Sequence, residues 1–426
     1  MTGGILASAE LGLYRGVVSA VRMGAAVYVA LARGSSGRQI WSERLGNWPP
    51  VAAEPAPLWI HAASVGETGV AHRLIPALRE RTAGAPILLT CNTGTARSVA
   101  ESAGLAGEVR YFPLDHARVI RSILAARRPR AALVVETEIW PVLLTELARA
   151  GIPAAMVNAR VSRRSYPSYR AVRPLIASAL GTLGAVCARD ETSCARLIAL
   201  GAPVEKCRCT GDIKLDGLAE RADREVSDLL AEFGRERPTV IAASTHEGED
   251  AIVLDAYRRV RARVPEVRLV LAPRHPERCP SVVRMAGGGD LAVHLRSQAG
   301  GRTSWDVLVV DTVGELVGFM KGAASVFVGG SLVRVGGHNL MEPAAFGVPV
   351  ACGPELDTVR EQADALEAAS ALSLVRNAEE LARVWAHWLE HPEIAQARGR
   401  RGREVVEAGS GAVERTVAML EECGVL

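Results

Sequence analysis

Beyond residue 57 the chain alternates short apolar runs with longer stretches rich in Ala, Leu and Arg. That alternation predicts parallel strands joined by crossover helices, an α/β architecture. A first series of strands is expected at Leu58–Ala63, Ile87–Thr90, Ala132–Glu136, Ala154–Val157 and Ala185–Ala188. A polar stretch, Gly217–Pro238, interrupts the series and reads as a linker with a solvated helix. A second series follows at Thr239–Ala243, Arg268–Ala272, Val307–Val310, Ser325–Val328 and Val348–Cys352. Two such series predict two doubly wound domains, and ligands bind such sheets beyond the carboxyl ends of the strands. The expected organisation is an N-terminal segment 1–45, a domain 46–216, the linker 217–238, a second domain 239–395 and a helical segment 396–426.

The first 32 residues follow a different pattern. Residues 5–32 are strongly apolar, but Glu10, Arg15 and Arg22 interrupt them, and the longest uncharged run is Met23–Ala32. That run is far shorter than the ~20 residues needed to cross a bilayer. The order of charge and apolar residues is not that of a secretory signal. The pattern predicts a helix lying in a membrane interface, with its arginines snorkelling to headgroups and Tyr14 and Tyr28 near the boundary. Arg33, Arg38 and Arg44 would then face an anionic leaflet. The alternative is an ordinary amphipathic helix of the core.

Composition narrows the classes. The 426 residues are 49% hydrophobic and carry a net charge of +3, which argues against disorder and against a dedicated nucleic-acid binder. The eight cysteines show no C-x-x-C pair and no zinc spacing, as fits a reducing compartment. Only Lys206, Lys214 and Lys321 among the 50 basic residues are lysine. A lysine kept in such a chain can mark a place where a wide guanidinium will not serve.

The positions after the strands are polar and glycine-rich. His61-Ala-Ala-Ser-Val-Gly-Glu67 places a carboxylate on the loop entering a helix, either as a general base or as a helix-start glutamate whose pKa the macrodipole lowers. In Glu136-Thr-Glu138-Ile-Trp140-Pro141 two acids two apart on extended chain would point to opposite faces, and Pro141 would start a helix. The basic, hydroxyl-rich 158–165 suits an anion, or is a solvated loop. Lys214, in Gly-Asp212-Ile-Lys214-Leu-Asp216, could neutralise an anion or pair with a neighbouring Asp. In the second series, 243–249 suits an anion at a helix start, and Arg274, beside Pro273, could meet a nucleotide. Val313-Gly314-Glu315 follows a third strand. In Asn339-Leu340-Met341-Glu342, Asn339 reads as an N-cap with Glu342 as its capping-box partner or as a ligand of ribose hydroxyls.

The ordered set HAASVGE, ETEIWP, NARVSRRS, GDIKLD, STHEGE, APRHPER and GGHNLMEP, preceded by RQIWSERLG, resembles the bacterial 3-deoxy-D-manno-octulosonic acid (Kdo) transferases of lipopolysaccharide assembly. The likeness runs from the N-terminal segment to about residue 355. It implies a GT-B fold, with two Rossmann-like domains facing a cleft, and an inverting glycosyltransferase. The implied donor is CMP-Kdo and the acceptor a lipid A precursor, lipid IVA, at the cytoplasmic face of the inner membrane. By the resemblance Glu67 is the catalytic base, and Glu136 and Lys214 stabilise the transition state. Pro273 and Arg274, Val313 to Glu315, and Asn339 to Glu342 correspond to the CMP-binding segments. Neither Val313 nor Met341, which depart from the family's usual residues, casts doubt on activity. No metal and no cofactor is expected. The alternatives are another GT-B enzyme, such as a UDP-sugar epimerase, and a silent membrane-bound nucleotide-sugar sensor.

Overall fold

The computed structural model describes residues 2–31, 36–50, 55–224, 226–233, 237–287, 291–299 and 304–426. Side chains of the first helix are described from Glu10 onward. Arg33, and residues 225 and 234–236 of the expected linker, lie outside the described residues. The chain divides into two compact units, Met1–Asp216 with Gly411–Leu426, and Gly217–Ser410.

The first unit holds β1 (Leu58–His61), β2 (Ile87–Cys91), β3 (Glu108–Tyr111), β4 (Ala131–Val135), β5 (Ala154–Ala159), β6 (Ala185–Ala188) and β7 (Cys207–Cys209). Their order in the sheet is β3-β2-β1-β4-β5-β6-β7, and every pair is parallel. Leu58 and Ile60 pack into one buried layer and Trp59 into the other, so the sheet is covered on both faces. The second unit holds β8 (Thr239–Thr245), β9 (Arg268–Pro273), β10 (Val293–Leu295), β11 (Val307–Val309), β12 (Ser325–Val328), β13 (Val350–Cys352) and β14 (Leu372–Leu374). Their order is β10-β11-β9-β8-β12-β13-β14, again all parallel. Both units are therefore doubly wound, as the apolar runs predict. The strand order reverses between β1 and β4 in the first and between β8 and β12 in the second, and those are the places where such sheets bind ligands.

The final helix, Ala412–Glu422, belongs to the first unit and buries Val417, Met419 and Leu420 in its core. Asp216 holds its start, accepting the N–H groups of Ala412 (2.9 Å) and Val413 (2.6 Å). The helix before it, Pro392–Ala408, belongs to the second unit.

The N-terminal helix, Thr2–Leu31, corrects part of the sequence reading. Arg15 and Arg22 do not point to the exposed side. Both are half-buried, Arg15 acting on Asp115 and Arg22 on His116 of the first unit. The Tyr14 hydroxyl donates to Asp115 (2.8 Å), and Glu10 accepts the Leu175 N–H (3.0 Å). Asp115 also accepts Val142 and Leu143 N–H groups, so one buried carboxylate joins the long helix to the start of helix Pro141–Arg149. The exposed side, Leu13, Val17, Val21, Met23, Val27, Tyr28 and Leu31, is left without charge. The charges that interrupt the apolar run are thus turned toward the domain. Arg44 is also turned in, donating to the Asn92 carbonyl (2.9 Å) beneath the Trp41 and Tyr111 rings. Among the described residues no helix is long and apolar enough to cross a membrane.

Candidate active site

In the first unit, three loops meet at the reversal between β1 and β4. The loop after β1 starts helix Val65–Arg81, with Ser64 as N-cap. Ser64-Val-Gly-Glu67 is a capping box in sequence. The Ser64 hydroxyl accepts the Glu67 N–H and donates to its Oε1 (2.9 Å), while Oε2 accepts the Ala63 N–H (2.8 Å). Glu67 is only 9% exposed. Burial pushes its carboxyl up to about 7, against the hydrogen bonds from Ala63 and Ser64, with Glu136 and Glu138 adding to the rise. This reverses the expected direction. Desolvation of the charged form outweighs the helix start, because the side chain is withdrawn from water. The candidate base is thus also the capping-box partner of Ser64.

The loop after β4 breaks the expected alternation. Glu136 has φ 58°, in the left-handed region, while its N–H continues the sheet by donating to Val157 (3.0 Å). The chain therefore turns at Glu136, so the alternation of an extended chain does not hold there, and Glu136 and Glu138 both act on Glu67. Glu138 accepts from Trp140 Nε1 (2.9 Å) and Asn92 Nδ2 (3.4 Å), and lies 3.4 Å from His61 Nε2. His61 is buried and stacks on Phe112 at 3.9 Å, with Nδ1 3.0 Å from the Thr90 carbonyl, an acceptor only. Nδ1 is also 3.1 Å from the Thr90 hydroxyl, and Nε2 faces Glu138.

Lys214 Nζ donates to Glu136 Oε1 at 2.6 Å. The lysine stands on a short 3₁₀ turn, Ile213–Leu215, after β7. Asp212 caps that turn by accepting the Lys214 N–H (3.0 Å), and Asn158 Oδ1 accepts the Ile213 N–H (3.0 Å). Asp212 and Asp216 are thus occupied with backbone, so neither is the lysine's partner. A Cβ at Gly66 would lie 3.8 Å from Nζ, so the ammonium sits against the loop that carries Glu67. The other two lysines also have tasks: Lys321 donates to the Asp223 (2.9 Å) and Val226 (3.2 Å) carbonyls, and Lys206 to that of Leu183 (3.4 Å). Of the basic loop after β5, Ser162 and Ser165 bond one another (2.8 Å) and Arg163 and Arg164 are exposed.

In the second unit, Glu249 is completely buried at the reversal between β8 and β12. Its carboxylate accepts four N–H groups, from His246 (2.9 Å), Gly330 (2.7 Å), Ser331 (3.0 Å) and Leu332 (2.8 Å). The glycine-rich loop after β12 is thus closed around the protein's own carboxylate, which occupies the place expected for an outside anion. Asp250 is occupied as well, by Arg278 and by Thr245 (2.7 Å). Arg274, beside the buried end of β9 at Pro273, is exposed. Val313 is 88% exposed, Gly314 has φ 91°, and Glu315 is held by Arg296 (2.9 Å) and Thr312. Asn339 is not the N-cap of a capping box with Glu342. Its Oδ1 accepts the Met341 N–H two residues on (3.0 Å), in an Asx turn, and the helix cap falls on Leu340. Leu340 and Met341 are buried, and burial raises the Glu342 carboxyl against a hydrogen bond from Asn339.

Glu67, Glu136 and Lys214 therefore converge in the first unit, and Arg274 and the 339–342 turn stand at strand ends of the second. Sequence reasoning missed Glu138 with His61, the clamp made by Glu249, and a histidine cluster at 246, 275 and 338. The S-x-x-E spacing of Ser64 and Glu67 was a legible signal for the cap. No local pattern announces that Glu249 reaches a loop eighty residues away.

A family model described as 3-deoxy-D-manno-octulosonic-acid transferase (kdotransferase) matches residues 39–217. A 3-deoxy-D-manno-octulosonic acid transferase of Bordetella pertussis is 36% identical over 383 residues, 86% of this chain and 87% of the relative. One from Haemophilus influenzae is 34% identical over 390 residues, 90% of this chain and 91% of the relative. The UDP-GlcNAc 2-epimerase of Neisseria meningitidis, solved with UDP-GlcNAc, superposes with a TM-score of 0.62 at 14% identity over 86% of this chain and all (100%) of that one. That last likeness is one of fold. Sequence identity over almost the whole length lies with the transferases, and the chain belongs to the 3-deoxy-D-manno-octulosonic acid (Kdo) transferase family.

Proposed function

We propose that this Kdo transferase moves Kdo from CMP-Kdo to a hydroxyl of a lipid A precursor of the lipid IVA type, with inversion, using Glu67 as base. One observation carries the reading: a buried carboxylate with its pKa raised to about 7 stands beside the Glu136–Lys214 pair at the end of β1. A base works best when its pKa lies near the working pH, and here burial supplies that match. In the proposed step Glu67 takes the acceptor hydroxyl proton and the oxygen attacks the anomeric carbon of Kdo. The bond from that carbon to the phosphate oxygen breaks, and CMP departs with the electron pair. Positive charge grows on the sugar and negative charge on the phosphate. Glu136 stabilises the sugar and Lys214 an anionic group of the donor. Pro273 and Arg274, Val313 to Glu315 and Asn339 to Glu342 hold CMP, with Leu340 and Met341 contributing backbone because their side chains are buried.

The N-terminal helix brings the enzyme to the lipid acceptor on the cytoplasmic side of the inner membrane, by lying in the interface on its uncharged side. Incubation with CMP-Kdo and lipid IVA, followed by mass spectrometry, tests the reading. The expected product is the acceptor heavier by Kdo. Unchanged acceptor, or conversion of UDP-GlcNAc to its epimer instead, would contradict it.

A further inference from the structure

Three histidines occupy neighbouring strand ends in the second unit. His246 follows β8, His275 follows β9, and His338 lies on the loop after β12, and the strand order is β9-β8-β12. His246 Nε2 and His338 Nε2 are 2.8 Å apart with ring planes 10° from parallel, and the His275 ring stands edge-on 5.6 Å from His246. Gly330 makes this possible: a Cβ there would meet the His338 ring at 3.0 Å. At 2.8 Å one nitrogen donates and the other accepts, so the resting pair shares a single N–H at its centre. Two imidazoliums at that distance would repel.

The groups around the pair that would usually receive negative charge are largely taken up. Glu249 already takes the backbone N–H groups of the glycine-rich loop. Arg278 is held by Asp250 and the Thr245 carbonyl (3.2 Å). Arg274, which is exposed, acts on both His246 and His338, while the buried Glu249 and Asp250 are already engaged. Burial holds His338 down to about 4, with His246, Arg274 and His275 adding to it. Burial also lowers His246; Glu249 opposes that, and His275, Arg278 and Arg274 reinforce it. The pair is therefore neutral near pH 7.

We propose that His246 and His338 together seat the phosphodiester of the nucleotide donor, and that the pair takes up one proton as that phosphate arrives. The inference rests on the donor reading above and assigns the phosphate to two residues outside the segments named there. An anion against the pair supplies the negative charge that favours an imidazolium. One proton from the medium then converts the shared N–H into an imidazolium with a donor for phosphate oxygen. The two rings titrate as a unit. Because the bound pair holds its proton to higher pH than the free pair, binding is favoured at low pH. It weakens by up to about tenfold per pH unit between the pKa of the free pair and that of the bound pair, and levels off above the latter.

The test is calorimetry on the full chain from pH 5.5 to 8, in two buffers of different ionisation enthalpy. The probes are the methyl ester of CMP, whose phosphodiester does not titrate in this range, and cytidine. The expected result is uptake of a large part of one proton with the ester and none with cytidine. His338→Gln and His246→Asn should each abolish the uptake and flatten the pH dependence, with cytidine affinity unchanged. Heats for the ester that do not depend on buffer would overturn the proposal. That wild-type comparison decides even where a variant fails to fold. Failure of both probes to bind at any pH would overturn the donor reading itself, and the proposal with it.

Discussion

Glu67 shows how far a residue's role can be read before its surroundings are known. The carboxylate at a helix start is visible in the sequence, and the dipole argument gives a lowered pKa. Burial sets the opposite sign, and burial depends on segments far along the chain, among them the loop of Glu136 and Glu138. Glu136 shows the same limit, because the alternation rule assumes extended backbone and its φ of 58° removes that assumption. Lys214 was more legible, since lysine is so rare in this chain. Its Nζ lies 2.6 Å from Glu136 Oε1 and close against Gly66, where a planar fork has less room. Lys214→Arg is expected to fold normally and to lose activity by about 10²-fold, the scale of losing one placed electrostatic donor. Transfer rates near those of the unmodified enzyme would show that charge alone suffices.

At the scale of elements, the central strands were legible because buried parallel strands are continuous apolar runs. The missed strands lie at or near sheet edges. β7, β10 and β14 have three residues each, and β3 reads Glu-Val-Arg-Tyr with only alternate positions buried. The N-terminal helix was legible as a helix but not in its orientation, because the partners of Arg15 and Tyr14 lie a hundred residues on, around Asp115. Its uncharged side gives a direct prediction. Leu13→Glu with Val17→Glu, both exposed, should leave the fold intact and release the protein from anionic phospholipid vesicles in a sedimentation assay. Retention of the double variant on vesicles would remove this side as the membrane contact. The last helix makes a stability prediction. Asp216→Ala removes the acceptor for two N–H groups at its start and should cost about 1–2 kcal/mol, read as a lower urea midpoint for the first unit. An unchanged midpoint would mean that packing of Val417 and Leu420 alone holds the helix.

For the whole molecule, two doubly wound units follow from the two series of apolar runs, and each reverses its strand order at the kind of place where such sheets bind ligands. In the proposed reading the base, carboxylate and lysine belong to the first unit and the nucleotide-binding groups to the second. The central claim is that Glu67 is the base for Kdo transfer, and its pKa of about 7 makes the claim measurable. Under saturating CMP-Kdo and lipid acceptor, the turnover rate should rise about tenfold per pH unit below 7, as the carboxyl ionises, and level off above it. Glu67→Gln keeps the shape and an acceptor for the helix start but cannot take a proton. The most direct measurement is therefore the turnover rate of the Gln variant beside the unmodified enzyme from pH 5.5 to 9, with product followed by mass spectrometry. The account predicts a loss of at least about 10²-fold and no rise through pH 7 in the variant, with CMP methyl ester binding unchanged. A variant that transfers Kdo at a comparable rate with the same pH profile would contradict it.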